Sequence, residues 1–309
     1  MEEKIVKVLN EMSEYLTIAQ MKKLQEVILD AFSENAVEKV SISNEEFLQM
    51  FLDAKKIEGC SERTLQYYYT TVAHMLSKME TSVRKITTEE IRTYLSEYQG
   101  NSHCTNVTID NIRRNISSFF SWLEEEDYIL KSPMRRIHKI KTKTVVKSVI
   151  SDEGIEKLRD YCTESRDLAI IDLLYSTGIR VGELVNLNKD DIDLEARECV
   201  VYGKGNKERR VYFDAKAKVH LKNYMEKRND DNKALFVTLD FPYDRLKISG
   251  VEIRLRTLGR KLNLERIHPH KFRRTMATRA IDKGMPIEQV QKILGHSQID
   301  TTMQYAMVN

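Results

Sequence analysis

The sequence predicts a mainly α-helical protein of two domains that carries one small β-hairpin. Three observations predict it. Proline and glycine are scarce, 4 and 11 in 309 residues, so few positions oppose helix. Apolar residues recur at helical spacing along most of the chain. Two short β-prone runs, residues 199–202 and 210–213, flank the turn-rich Gly203-Lys204-Gly205-Asn206-Lys207-Glu208. The length exceeds one typical core and suits two.

Residues 3–32 read as helix, with Ile5, Leu9, Met12 and Leu16 on one face. The extension 1–41 sets Glu2, Glu3, Glu11, Glu14, Glu26, Asp30, Glu34 and Glu38 against Lys4, Lys7, Lys22, Lys23 and Lys39. It is net acidic, which favours packing or a protein contact over a grip on a polyanion. Residues 42–138 read as a bundle of short helices. Ser43 precedes Glu45, Glu46 and the apolar Phe47, Met50 and Phe51, and Ser61 opens a segment with Leu65, Tyr68, Val72 and Leu76. Thr87 and Glu90 form a capping box, and Ile109, Ile112, Ile116, Phe119, Phe120 and Leu123 line a last face.

A composition shift follows. Residues 131–147 hold Lys131, Arg135, Arg136, Lys139, Lys141, Lys143 and Lys147 with no acidic residue. Pro133 breaks helix, and Thr142, Thr144, Val145 and Val146 suit an extended strand. Residues 139–148 are thus expected as a basic linker. It is either a solvated connection or a strap across phosphates; the uninterrupted single sign favours the strap.

Residues 149–309 make the second domain. Ser151 starts a helix, residues 166–177 form another, and helix resumes near Ala215 and from Gly250. Pro286 suits a first helical turn, Val290, Ile293 and Leu294 form an apolar stripe, and Gly295 ends that helix. Asp300 can cap a last helix carrying Tyr305.

Composition narrows the function classes. Hydrophobic residues make up 41% of the chain without a long apolar run, and the N-terminus lacks the layout of a signal peptide. A cytoplasmic protein without membrane contact is expected. Cys60, Cys104, Cys162 and Cys199 form no CxxC pair, so they read as reduced thiols. A net charge of +3 says little about partners; the placement of charge says more.

Breaking a phosphodiester without a metal requires a nucleophile, cations on the non-bridging oxygens and an acid for the leaving oxygen. The second half offers each. Arg180 follows Gly178 at the start of a helix, where it could fork onto a phosphate, and Glu183 on the same face could hold it. Taken alone this is a surface ion pair. His270 and Arg273 share a helix face after Pro269, otherwise a plain basic helix start. His268, His270 and His296 have no spacing that demands a metal. His296 follows Leu294-Gly295, and Tyr305 lies nine residues on; isolated, they are a surface histidine and a packed aromatic. Tyrosine attacks only where cations or a base favour its phenolate. Lys204, between two glycines, is either a solvated turn residue or a mobile acid; the segment is no Walker loop.

In their order along the chain, Arg180, the Lys204 hairpin, His270-x-x-Arg273, Leu294-Gly295-His296 and Tyr305 resemble the tyrosine recombinase (phage integrase) family, most like its Xer-like and mobile-element members. The resemblance covers nearly all of residues 43–305. It implies that Arg180 and Arg273 clamp a scissile phosphate, that His296 donates to it, and that Lys204 protonates the leaving 5′ oxygen. It further implies that His270 assists proton transfer, that Glu183 orients Arg180, and that Tyr305 forms a 3′-phosphotyrosyl bond, without metal, cofactor or ATP.

By the same resemblance the helical core-binding bundle and the α+β catalytic domain would form a C-shaped clamp on double-stranded DNA. Lys139, Lys141, Lys143, Lys207, Arg209, Lys271 and Arg274 are expected along that DNA. A monomer would assemble on two DNA sites into a homo-tetramer, at the nucleoid. Only Ala306, Met307, Val308 and Asn309 follow Tyr305, where family members continue into a tail that packs on a neighbour; residues 1–41 also depart from the minimal pattern. A topoisomerase-like relaxer with the same chemistry and a DNA-binding module that does not cut are the alternative readings.

Overall fold

The computed structural model describes residues 2–32, 42–142, 148–203 and 208–306. The chain divides into two compact units, residues 1–143 and 144–309.

The first unit starts with α1 (Glu2–Met12) and α2 (Ile18–Phe32). The single helix expected over 3–32 is therefore two. Its break has a local cause: the Ser13 hydroxyl donates to the Asn10 carbonyl at 2.7 Å, and Thr17 pairs with Gln20 Oε1 through both its amide and its hydroxyl at 2.9 Å. Thr17-x-x-Gln20 is a capping box that restarts the helix. The bundle follows as α3 (Asn44–Ile57), α4 (Glu62–Leu76), α5 (Thr88–Ser102) and α6 (Asn106–Glu125). Ser43, Ser61, Thr87 and Thr105 each cap the next helix through a side-chain oxygen, as the sequence leads one to expect for the first three. Phe47, Phe51, Phe119 and Phe120 are fully buried at its centre, with Phe51 and Phe119 edge to face at 5.4 Å.

The basic segment joins this unit further than its composition suggests. After the 3₁₀ turn Pro133–Arg136, Ile137 and Ile140 pack on the bundle core. The first compact unit runs to residue 143, within the expected linker 139–148, and Ile140 of that linker packs on the bundle core. The strand-prone stretch expected over 142–146 lies, apart from Thr142, outside the described residues.

The second unit comprises α7 (Asp152–Tyr161), α8 (Ser165–Thr177), α9 (Val181–Asn186), β1 (Ile192–Asp193), β2 (Glu198–Tyr202), β3 (Glu208–Tyr212), α10 (Ala215–Lys227), α11 (Ile248–Lys261), α12 (Pro269–Asp282), α13 (Ile287–Leu294) and α14 (Asp300–Ala306). The hairpin is present as expected, with Cys199 opposite Val211 and Tyr202 opposite Glu208. Its partner β1 extends it to an antiparallel sheet of order β1-β2-β3, and two residues are too short a run to leave a period in the sequence. Helix α8 is apolar around most of its girth (Ile170, Ile171, Leu173 and Leu174 are all buried) and is the central rod of this core. Two glycines in the left-handed region end helices where the sequence places them, Gly178 after α8 at φ 62° and Gly295 after α13 at φ 64°. Pro286 sits one place earlier than expected, as N-cap of α13, and Asp300 is the first residue of α14. No described helix is long and apolar enough to cross a membrane.

Candidate active site

The site is built around the C-terminal end of α13. A helix end leaves its last carbonyls without helical partners, and here arginines from separate elements take them. Arg180, the N-cap of α9, sends Nη1 to the Leu294 carbonyl at 3.4 Å and Nη2 to the Gly295 carbonyl at 3.2 Å. Arg273, on α12 and only 3% exposed, sends Nη2 to the Leu294 carbonyl at 2.6 Å and Nη1 to the Gly178 carbonyl at 2.7 Å. Arg209, on β3, sends Nε to the Ile293 carbonyl at 3.1 Å.

Glu183 is the carboxylate at the centre of this group and is buried. Its Oε1 accepts from Arg180 Nη1 at 2.9 Å and its Oε2 from the Arg180 amide at 2.8 Å, as expected for a residue orienting Arg180. Arg209 adds a fork of two bonds, each 2.7 Å. Burial raises the Glu183 carboxyl, but the hydrogen bonds from Arg209 and Arg180 outweigh it and hold it below the usual carboxylate range. Two guanidinium groups thus pair with one carboxylate, and the third, that of Arg273, leaves an excess of positive charge. Burial, then the neighbouring Arg180, lowers Arg273 to about 10.

His296 follows Gly295. Its Nε2 lies 2.9 Å from Arg273 Nη2 and its Nδ1 2.9 Å from the Thr302 hydroxyl. A guanidinium only donates, so Nε2 accepts in this arrangement and Nδ1 carries the proton toward Thr302. Burial lowers the His296 pKa to about 4, with Arg273, Arg180 and Arg209 adding to the shift, so the ring is neutral at pH 7. Tyr305, on α14, is half-buried; its ring centroid stands 5.9 Å from that of His296, the two planes at 30°. Its carbonyl accepts from the Thr278 hydroxyl at 3.4 Å, which ties α14 to α12. His270 is exposed beside this group, and partial desolvation, then Arg273 and Arg180, lower its pKa.

The structure therefore brings together Arg180, Glu183, Arg273, His296 and Tyr305, with His270 at the edge. Lys204, Lys207 and Lys143 lie outside the described residues. Two side chains expected on DNA are turned elsewhere. Lys271 is 4% exposed and pairs with Glu265 at 2.9 Å, because its position on α12 faces the core beside Phe272. Arg209 is held by Glu183 and the Ile293 carbonyl instead of facing outward. Strand alternation carried that signal: Arg209 shares a face with buried Val211. Arg274 is half-buried and donates to the Ser148 carbonyl at 2.8 Å. Lys139 and Lys141 are exposed on the first unit. Thr302, fully buried, was not singled out by sequence reasoning; its place one helical turn before Tyr305 was the available clue. Among the described residues no cluster of His, Cys, Asp and Glu has the makings of a metal site.

Comparison with known proteins identifies the family. A family model described as the phage integrase family matches residues 148–309, and one described as the phage integrase N-terminal SAM-like domain matches residues 47–130. The tyrosine recombinase XerC of Staphylococcus aureus (strain JH9) is 32% identical over 274 residues, covering 84% of this chain and 91% of its own. Two groups of solved structures share the fold. A λ integrase dimer bound to a COC′ core site has a TM-score of 0.71 at 17% identity, covering 93% of this chain and 86% of its own. The Tn1549 transposon integrase in complex with a circular intermediate DNA has a TM-score of 0.71 at 17% identity, covering 84% of this chain and 94% of its own. With both of its units matched and a relative of that identity along most of its length, the chain belongs to the phage integrase family of tyrosine recombinases, enzymes of site-specific DNA recombination.

Proposed function

We propose that Tyr305 is the nucleophile of this recombinase and that Arg180, Arg273 and His296 receive the scissile phosphate of double-stranded DNA. The observation that carries the reading is the convergence of the three on the end of α13, with the Tyr305 ring 5.9 Å from that of His296. Tyr305 Oη attacks phosphorus, a 3′-phosphotyrosyl bond forms, and the bond to the 5′ oxygen breaks. That oxygen takes its proton from Lys204, and His270 assists proton movement at the phenol. The arginines carry the charge that grows on the non-bridging oxygens. His296 must donate from Nε2 to the phosphate, and the Thr302 hydroxyl can serve either tautomer because it both donates and accepts. A 5′ hydroxyl from a partner strand reverses the step and conserves the bond energy.

The same reading places Lys139, Lys141, Lys143, Lys207 and Arg274 on DNA phosphates. It sets the enzyme at the nucleoid, a monomer off DNA and a homo-tetramer on two sites. One structural neighbour is a λ integrase tetramer bound to a Holliday junction.

The test is covalent capture on a labelled duplex from the gene's own flanking ends, nicked near the cleavage point. A slow band on a denaturing gel from the parent, missing from Tyr305→Phe, is the expected outcome. A band that persists in Tyr305→Phe assigns the nucleophile elsewhere. Junctions between two such duplexes would separate strand exchange from simple relaxation.

A further inference from the structure

Residues 136–141 of the basic segment are tied to the bundle by hydrogen bonds. Asp110, on α6 and 3% exposed, accepts from the backbone amide of Ile140 at 3.0 Å through Oδ1. The same oxygen accepts from Arg113 Nε at 2.8 Å, and Oδ2 pairs with Arg114 Nε at 3.0 Å. One helical turn earlier, Asn106 Nδ2 donates to the Lys141 carbonyl at 3.1 Å. At the other end of the segment Arg92 Nη2 donates to the Arg136 carbonyl at 3.2 Å. Ile137 and Ile140 pack on the bundle core, while Arg136, His138, Lys139 and Lys141 stay exposed.

Two functions meet in one carboxylate here. It accepts from the backbone of the segment and pairs with Nε of Arg114, whose side chain is 59% exposed. An acidic residue among these cations is unfavourable for a polyanionic ligand by charge alone. Its worth lies in order: a chain already held in its bound course loses less conformational freedom when it meets its ligand.

We propose that Asp110 is a positioning residue, with Asn106 as its helper, that holds residues 136–141 as a preformed rack of cations for the phosphates of duplex DNA. The proposal rests on the DNA reading above and goes beyond it. It assigns a role in DNA affinity to a buried acid and makes the strap a fixed part of the first unit.

Asp110→Asn and Asp110→Ala remove the same charge, but only asparagine keeps an acceptor for the Ile140 amide. The difference between them therefore isolates the anchor from the electrostatics. The measurement is anisotropy of a labelled duplex across about 50 to 200 mM salt with the full chain, where phosphate contacts dominate affinity. Alongside it, hydrogen exchange is followed at the Ile140 amide. The alanine variant is expected to bind several-fold more weakly than the asparagine variant, as for loss of one neutral hydrogen bond, and to exchange faster at Ile140. Equal binding by the two variants, or tighter binding than the parent by both, overturns the proposal. If the alanine variant does not fold, Asn106→Ala carries the test. A several-fold loss of affinity supports the rack, and an unchanged affinity overturns it. A parent protein that binds no duplex at all sinks the DNA reading instead, which keeps the two failures apart.

Discussion

Arg209 and Glu183 face one another through two parallel hydrogen bonds of 2.7 Å each, joining strand β3 to helix α9. The pair is almost wholly shielded, with side-chain exposures of 14% and 4%. Removing one partner leaves the other charge buried and uncompensated. Glu183→Gln is thus expected to destabilise the second unit by about 3 kcal/mol, read from the urea midpoint. Its pH signature follows from the depressed carboxyl, which lies below the ordinary glutamate value of 4.5. Such a group contributes stability above its unfolded pKa, and the contribution is lost as pH falls through the lower folded value. The gap between parent and variant should hold steady above about pH 4.5 and narrow below it; a gap unchanged into strong acid would sink the assignment.

His296 is lowered from 6.5 to about 4. A base whose folded pKa is depressed favours the folded state in its neutral form. Its contribution is complete above pH 6.5 and declines as pH falls toward 4. Imidazole NMR should show the ring neutral at pH 6, with the proton on Nδ1. Binding of nicked duplex should raise the pKa by bringing phosphate charge to Nε2. A ring that titrates near 6.5 in the free protein would contradict the geometry.

Thr302→Val keeps the shape of a fully buried side chain and deletes the partner of His296 Nδ1. If His296 acts as proposed, the substitution should slow covalent capture by about tenfold, the worth of one hydrogen bond that fixes the ring. Thr302→Ser should recover most of the rate. A valine variant at the parental rate would show that the hydroxyl does not set the ring.

Gly295→Ala meets two obstacles at once. Its φ is 64°, and an added Cβ would stand 3.1 Å from Arg209 Cδ. A loss of about 1–2 kcal/mol of stability is expected from the backbone and crowding together. Because Arg180 Nη2 uses the Gly295 carbonyl, capture should slow as well. A change confined to stability would mean that the arginines adapt without losing their aim.

The sequence announced the helical bundle through its caps, since Ser43, Ser61 and Thr87 each stand before an amphipathic run and each bonds as expected. Arg180, Arg273, His296 and Tyr305 were legible as an ordered series, although no local signal showed that they converge. Convergence depends on α13 ending beside α9 and α12, a packing relation between distant segments. Arg209 escaped for the same reason: its partner lies 26 residues away, and only strand alternation shows that it points inward. Lys271 misled because a lysine in a basic stretch reads as exposed until the burial of its helix face is known. The break between α1 and α2 was written in Thr17 and Gln20 but was hidden by an apolar spacing that runs on through Leu16.

The arginine bonds to the end of α13 have a thermodynamic consequence. The Leu294 and Gly295 carbonyls take donors of Arg180 and Arg273 at the negative pole of a helix. On the proposed reading, these carbonyls compete with the non-bridging oxygens for the same donors. A phosphate entering the site trades one set of acceptors for another, so the guanidinium groups are never left bare at either end of the exchange. Affinity at this spot is then a difference between two solvating shells. The full anionic charge is what separates a phosphate from the carbonyls, and a neutral backbone linkage at the cleavage point would displace them poorly however well it fitted.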